Sequence, residues 1–135
     1  MNTALERLVW QRARSCCEYC QLPQAFSPLP HAVDHIISRQ QRGPTVAENL
    51  ALACFFCNSY KGPNIAAINP QTGRIVRLFN PRKDRWNRHF TWNGPILVGR
   101  THTGRVTITL LEINRDEAVD LRRYLILEGA FPPQG

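Results

Sequence analysis

The segments Cys17-Glu-Tyr-Cys20 and Cys54-Phe-Phe-Cys57 are two Cys-x-x-Cys pairs, and 33 residues separate them. This spacing lets the two thiolates of a tight turn reach one tetrahedral ion at about 2.3 Å, and two such turns complete a four-sulfur shell. A closed shell leaves no position for water, so the ion stabilises the fold and takes no part in catalysis. The sequence therefore predicts a structural zinc ion held by Cys17, Cys20, Cys54 and Cys57.

Two other interpretations of the cysteines are a redox pair and ordinary buried thiols. A redox pair usually accompanies a thioredoxin-like βαβ pattern, which this sequence lacks. Cys16 could also replace Cys17 with Cys-x-x-x-Cys spacing, but the symmetry of the two pairs favours Cys17. We then expect Cys16 to be a core residue.

The composition is that of a single globular domain. The chain has 135 residues, of which 43% are hydrophobic and 20% charged, and a second domain would have little core of its own. We expect one domain over residues 1–135, with a motif core at about 16–64 and a C-terminal extension at about 65–135. We expect no membrane span and a cytoplasmic location, where five cysteines are not a disulfide framework. The oligomeric state is unknown.

The formal net charge is +7, with fifteen arginines and two lysines. Such a charge favours a polyanionic partner because each neutralised phosphate releases counterions, although it also serves solubility alone. Arginine sharpens the first interpretation, since its guanidinium matches phosphate geometry.

The chain divides by pattern into elements of both types. We predict an opening helix with a capping box at Thr3 and Glu6, and a short strand within residues 31–37. A turn at residues 69–73 precedes a strand at residues 74–79. Val106, Ile108 and Leu110 alternate with threonines, which predicts a strand forming a hairpin with residues 96–101 and places His102 in its turn. A final helix follows Asn114 and runs to about Leu127.

Between the cysteine pairs the chain reads Val33-Asp-His-Ile-Ile37, then Gly43, then Glu48-Asn-Leu50, and after Cys57 it continues Asn58-Ser-Tyr-Lys61-Gly62. This order resembles the HNH endonucleases, whose Asp-His pair, Asn-Leu pair and later His or Asn form the ββα-metal site. Asn58 stands where histidine is commoner, an HNN variant. The resemblance implies an α+β fold: a zinc-braced ββα-metal core, then a strand-rich C-terminal extension and terminal helix.

The resemblance also implies roles for the motif residues. His35 would be the general base that takes a proton from water, a role that histidine side chains often fill near neutral pH. Asp34 and Asn58 would hold a catalytic Mg²⁺ or Mn²⁺ through oxygen. Asn49 would orient His35 by stiffening the loop. The predicted catalytic residues are His35, Asn49 and Asn58.

The expected activity is hydrolysis of phosphodiester bonds in DNA, with RNA as the less favoured substrate. The basic and aromatic mixture of residues 82–89 suits contacts with the nucleic-acid backbone, although a solvated helix face is an equal alternative there. The predicted nucleic-acid-binding residues are Lys61, Arg39, Arg82, Arg85 and Arg88. The alternative function is a noncatalytic zinc-binding module for nucleic acid or protein. The roles of His31 and His89 stay open.

Overall fold

Helix α1, Thr3–Arg12, begins the fold in the computed structural model, which describes residues 1–133. The last two residues of the predicted domain lie outside the described residues. The cap of α1 is Asn2, whose side chain accepts a hydrogen bond from Leu5 N at 2.7 Å, and not the predicted Thr3. Asparagine is a strong N-cap because its oxygen satisfies an amide that the helix leaves free.

A ββα unit follows α1. Strand β1, Ala32–His35, pairs antiparallel with β2, Leu50–Ala53, so that His35 lies opposite Leu50. Helix α2, Phe55–Lys61, follows β2 directly because Cys54 caps it, its Sγ accepting from Cys57 N at 3.4 Å. The predicted zinc-braced core therefore has the secondary structure that was expected.

The extension is a mixture of short strands and helices. Its first hairpin joins β3, Ala66–Ile68, to β4, Ile75–Arg77, around the predicted turn. After α3, Trp86–His89, the second hairpin pairs β5, Phe90–Asn93, with β6, Ile96–Gly99. Two helices follow, α4 at His102–Leu110 and α5 at Asp116–Leu127. The α+β class and the terminal helix are confirmed. Within residues 1–133, no helix has the length and apolar character to cross a membrane.

The predicted strand at Val106, Ile108 and Leu110 is wrong, because these residues belong to α4. Thr101 caps this helix by accepting from Gly104 N at 3.0 Å, so the expected turn is the first helical turn. The buried positions 103, 106 and 107 have helical spacing. Thr107 Oγ1 donates to the carbonyl of Thr103 at 2.7 Å, which satisfies a hydroxyl that the strand interpretation placed on a solvated face.

Two groups of buried side chains hold the fold together. Val9 of α1 packs against Leu50 and Leu52 of β2. The larger cluster includes the four cysteines of the two pairs and apolar residues from both halves of the chain. Its other buried members are Tyr19, Ala53, Phe79, Phe90, Leu97, Leu111 and Ile113. The cysteines therefore lie inside the apolar core.

Arg122 fastens α5 to this core. Its side chain is buried, with 3% of its surface exposed, and its guanidinium lies 5.0 Å from the ring centre of Trp92. It donates to the carbonyls of Pro95 at 2.8 Å and Ile113 at 3.0 Å, and to Asn114 Oδ1 at 3.1 Å. A buried cation needs such partners because burial removes its hydration.

We predict that Arg122→Ala lowers the free energy of unfolding by roughly 2–4 kcal/mol, since it removes the donor to the carbonyls of Pro95 and Ile113 and the contact with Trp92. Urea unfolding in the presence of zinc measures the change. The matched control is Arg123→Ala, because Arg123 is exposed and pairs with the likewise exposed Asp120 at 3.0 Å on the same helix. The control should change stability by no more than about 0.5 kcal/mol. Equal losses in both variants would contradict this role of Arg122.

Candidate metal centre and active site

The four cysteines of the two pairs meet at one point. All four side chains are buried, and their sulfur atoms lie within 4.8 Å of one another. The sulfurs of Cys20 and Cys54 are 3.8 Å apart. Zn–S bonds of 2.3 Å in a tetrahedron place two sulfurs about 3.8 Å apart, so the cluster fits a zinc ion. Cys16 lies outside it, half-buried, with its Sγ 3.4 Å from the carbonyl of Arg14.

Hydrogen bonds inside and around the cluster order the cysteine turns. The amide of Cys20 donates to Cys17 Sγ at 3.5 Å, as the amide of Cys57 does to Cys54. Hydrogen bonds from the neighbouring thiols, Cys17 first, hold the pKa of Cys54 well below its usual value. Burial raises the pKa of Cys17, and hydrogen bonds with the neighbouring thiols raise the pKa of Cys57. The cluster therefore favours a thiolate at Cys54, which is the form that binds metal.

Two tryptophans of the C-terminal extension donate hydrogen bonds to the first cysteine turn and to the residue that directly follows it. Trp86 Nε1 donates to the carbonyl of Tyr19 at 2.9 Å, and Trp92 Nε1 donates to Gln21 Oε1 at 2.8 Å. These bonds join the cysteine turn to α3 and β5.

Asp34 lies on β1 beside α2. Its carboxylate is nearly buried, and Oδ2 lies 3.1 Å from the ammonium nitrogen of Lys61, which is only 2% exposed. Within residues 1–133, Oδ2 receives no hydrogen bond of normal geometry. Burial raises the pKa of Asp34, while the charges of Lys61 and His35 oppose this shift. A buried carboxylate with so few partners is a suitable ligand for a hard cation.

The imidazole of His35 is held by the loop that follows β1. Its Nε2 lies 2.8 Å from Thr45 Oγ1, and the same oxygen accepts a hydrogen bond from Arg39 Nη1 at 2.8 Å. The ring is half-buried. The loop thus holds Nε2 of the imidazole, and a chain of hydrogen bonds joins His35 through Thr45 to the exposed Arg39.

Asn49 closes this loop onto the end of β1. Its Oδ1 accepts from the amide of Ile37 at 2.9 Å, and its Nδ2 donates to the carbonyls of Ile37 at 3.0 Å and Pro44 at 2.9 Å. A side chain at Gly43 would overlap the carbonyl oxygen of Ile37 and crowd Asn49. Glycine is therefore required at this point of the loop.

Asn58 lies one residue after the second cysteine pair, half-buried in α2. It stands three residues before Lys61, so the two side chains leave the same face of the helix. Lys61 Nζ lies 3.3 Å from the backbone carbonyl of His35, in addition to its ion pair with Asp34. The strand pair and this face of α2 thus bound the candidate active site.

The predicted nucleic-acid-binding arginines lie in different surroundings. Arg39, Arg85 and Arg88 are exposed. Arg82 is ion-paired with Glu18 and donates to the carbonyl of Leu50 at 3.2 Å, so its guanidinium is engaged inside the molecule.

His31 and His89 are buried and have partners within the fold. His31 Nε2 lies 2.8 Å from the carbonyl of Leu22, and its ring stacks on Trp10. His89 Nδ1 lies 2.6 Å from Thr101 Oγ1, and burial lowers the pKa of this histidine. Both side chains are in a position to stabilise the fold.

Comparison with known proteins agrees with this geometry. Residues 17–64 match the model of the HNH endonuclease family. We refer to residues 17–64 below as the HNH segment, after the family that they resemble. Searches among curated proteins and among solved structures each found no match. The match includes both cysteine pairs and all three elements of the ββα unit, and it indicates a nuclease acting on nucleic acid.

Sequence reasoning missed Thr45 within the HNH segment. A single threonine in a loop carries no pattern that marks it, and only the fold brings its hydroxyl to His35. It likewise missed that Lys61 pairs with Asp34, which requires the packing of α2 against β1.

We predict that Cys54→Ser removes zinc from the HNH segment and lowers the melting temperature, because three thiolates bind the ion far more weakly than four. Elemental analysis should fall from about one zinc per chain to well below one, and circular dichroism follows the melting. Cys16→Ser is the control and should keep its zinc, since Cys16 lies outside the cluster. A Cys54→Ser protein with full zinc content and an unchanged melting temperature would show that these cysteines are ordinary core residues.

Proposed function

We propose that this protein is a metal-dependent endonuclease that hydrolyses phosphodiester bonds in DNA. The observation that carries the proposal is the placement of a nearly buried Asp34 beside a loop-held His35, at the edge of the HNH segment's ββα unit. A carboxylate for a cation and an imidazole for a proton are the two groups that phosphodiester hydrolysis by water needs.

In this proposal His35 is the general base. Its Nε2 is engaged by Thr45, so we assign proton uptake from the attacking water to Nδ1. Thr45 fixes the direction in which that nitrogen points, because a ring held at one nitrogen loses its freedom to rotate. Asn49 acts one step further away, by closing the loop that carries Thr45.

Asp34 and Asn58 are the proposed ligands of the catalytic Mg²⁺ or Mn²⁺. The fit is supported by the carboxylate oxygen of Asp34, which receives no normal hydrogen bond from residues 1–133, and by the hard oxygen donors of both side chains. A divalent ion there would supply Lewis-acid stabilisation of the phosphate oxygens. Lys61, now paired with Asp34, would be released to contact a phosphate, together with the exposed Arg39, Arg85 and Arg88. Arg82 would have to leave Glu18 to do the same.

DNA is the proposed substrate, and RNA is the alternative that a direct comparison tests. The net charge of +7 suits either polyanion. We further propose that residues 1–135 are one domain, supported by the buried cluster shared by both halves. A cytoplasmic location is part of the proposal, because thiolates stay reduced there.

A noncatalytic zinc-binding module is the second candidate, and one observation favours it. The ion pair between Asp34 and Lys61 neutralises the carboxylate without any metal. Such a module would bind nucleic acid and leave it uncut.

The test is incubation with supercoiled plasmid, with and without Mg²⁺ or Mn²⁺. We predict cleavage only with the metal, and a loss of about 10²- to 10⁴-fold in His35→Ala, because a general base contributes that much to the rate. His102→Ala is the control and should cleave normally, since His102 is exposed on α4. Intact plasmid with every metal, despite a full zinc content, would favour the noncatalytic module, and wild-type activity in His35→Ala would refute the role of His35.

We predict that Thr45→Val lowers kcat by about tenfold with little change in KM, because the general base then loses its orientation while substrate contacts remain. Thr45→Ser keeps the hydroxyl and should restore most of the rate. Nitrogen NMR of the His35 ring gives a second readout, since the Nε2 signal should move in Thr45→Val and stay in Thr45→Ser. Equal rates in the serine and valine variants would remove Thr45 from the site.

A further inference from the structure

The β3–β4 hairpin exposes two isoleucines side by side. Ile68 and Ile75 are directly paired across the strands, and they are 66% and 76% exposed. Side chains on a strand alternate between faces, so Ala66 and Arg77 share this outer face with them. Helix α4 packs against the hairpin on its other side. The outer face is thus an apolar tip with an arginine at its base.

The base of this outer face borders a cavity of about 280 Å³. Arg77 lines it together with Lys61, Lys83 and Asp84. Lys61 is the residue paired with Asp34. A ligand in the cavity would therefore contact the base of the hairpin and the lysine that neutralises the proposed metal ligand.

The hairpin lies in the most basic part of the chain. Residues 62–111 contain eight Lys and Arg residues and one acidic residue, Asp84. Arg77 pairs with Asp84 through two bonds, at 2.6 Å and 3.1 Å, so the single acid is already neutralised. The net charge of this part equals that of the whole chain, +7. Arg74, exposed directly before Ile75, adds its charge at the tip.

We propose that Ile68, Arg74, Ile75 and Arg77 form a hairpin surface that docks on duplex DNA beside the scissile bond. This inference rests on the proposed function and names how its substrate is held. Arg74 contacts a phosphate, and Arg77 does so on leaving its pair with Asp84. The isoleucines pack against sugars and base edges in a groove, as apolar side chains of DNA-bending proteins do.

Charge is the reason for choosing nucleic acid over a protein partner. A large apolar pair on a protein interface is usually surrounded by a polar rim of both signs. Here eight cations stand against one acid over residues 62–111, and the base of the hairpin borders a cavity that Lys61, the partner of Asp34, also lines. Both features match a polyanion that must reach a hydrolytic site.

The test measures binding, and not cleavage, so that it stands apart from the proposed activity. Labelled duplex DNA is titrated with the full chain carrying His35→Ala, without Mg²⁺, and fluorescence anisotropy is followed at several salt concentrations. Ile75→Ser should weaken binding about tenfold and leave the salt dependence unchanged, because it removes an apolar contact. Arg74→Ala should weaken binding and reduce the slope of log affinity against log salt by about one.

Matched controls lie on α5. Leu127 is 83% exposed, and Leu127→Ser should bind DNA as the parent does, as should Arg123→Ala. Circular dichroism confirms that each variant is folded. Unchanged affinity in both Ile68→Ser and Ile75→Ser would overturn the inference, as would a parent protein that fails to bind duplex DNA. Sedimentation showing a dimer that Ile75→Ser dissociates, with DNA affinity unchanged, would also overturn it and make this face a contact between copies.

Discussion

The meeting of two cysteine turns at one point is the contact on which the rest of the structure depends. One turn precedes β1 and the other caps α2, so their closure fixes the strand pair against the helix. The same sulfurs lie among aromatic and aliphatic side chains of the extension. A metal ion held there would link two turns that are separated by 33 residues in sequence. It would do so inside the apolar core, which is small in a domain of this size.

Strand β2, which pairs with the strand that carries Asp34 and His35, is held in place by side chains from outside the ββα unit. The carbonyl of Leu50, which lies opposite His35, accepts hydrogen bonds from both Arg12 and Arg82. Glu18 accepts from Arg82 and from the amide of Leu52. Thus two arginines of a basic protein are directed inward, where they hold a strand in place. Some arginines of this sequence are exposed on the surface and others hold a strand from within. The sequence alone does not distinguish these two roles.

The features that could be predicted from the sequence are those marked by a fixed spacing between particular residues. Cysteine pairs and the ordered motif between them mark the ββα unit because each position has a fixed chemical requirement. Helix α4 was missed because its threonines alternate with apolar residues, and a hydroxyl bonded to the preceding turn is invisible in a pattern of polarity. The partners of His35 and Asp34 were missed for another reason: Thr45 and Lys61 come from other elements, and their contacts arise only in packing.

The bonds from Trp86 and Trp92 to the first cysteine turn have a practical consequence. Indole emission moves to longer wavelength when the ring becomes exposed to water, and both indoles lie beside the backbone that the metal would hold. Trp10, the third tryptophan, stacks instead on His31. Trp86 and Trp92 therefore report on the state of the cysteine cluster without any added label, and the time course of metal loss can be followed by their emission.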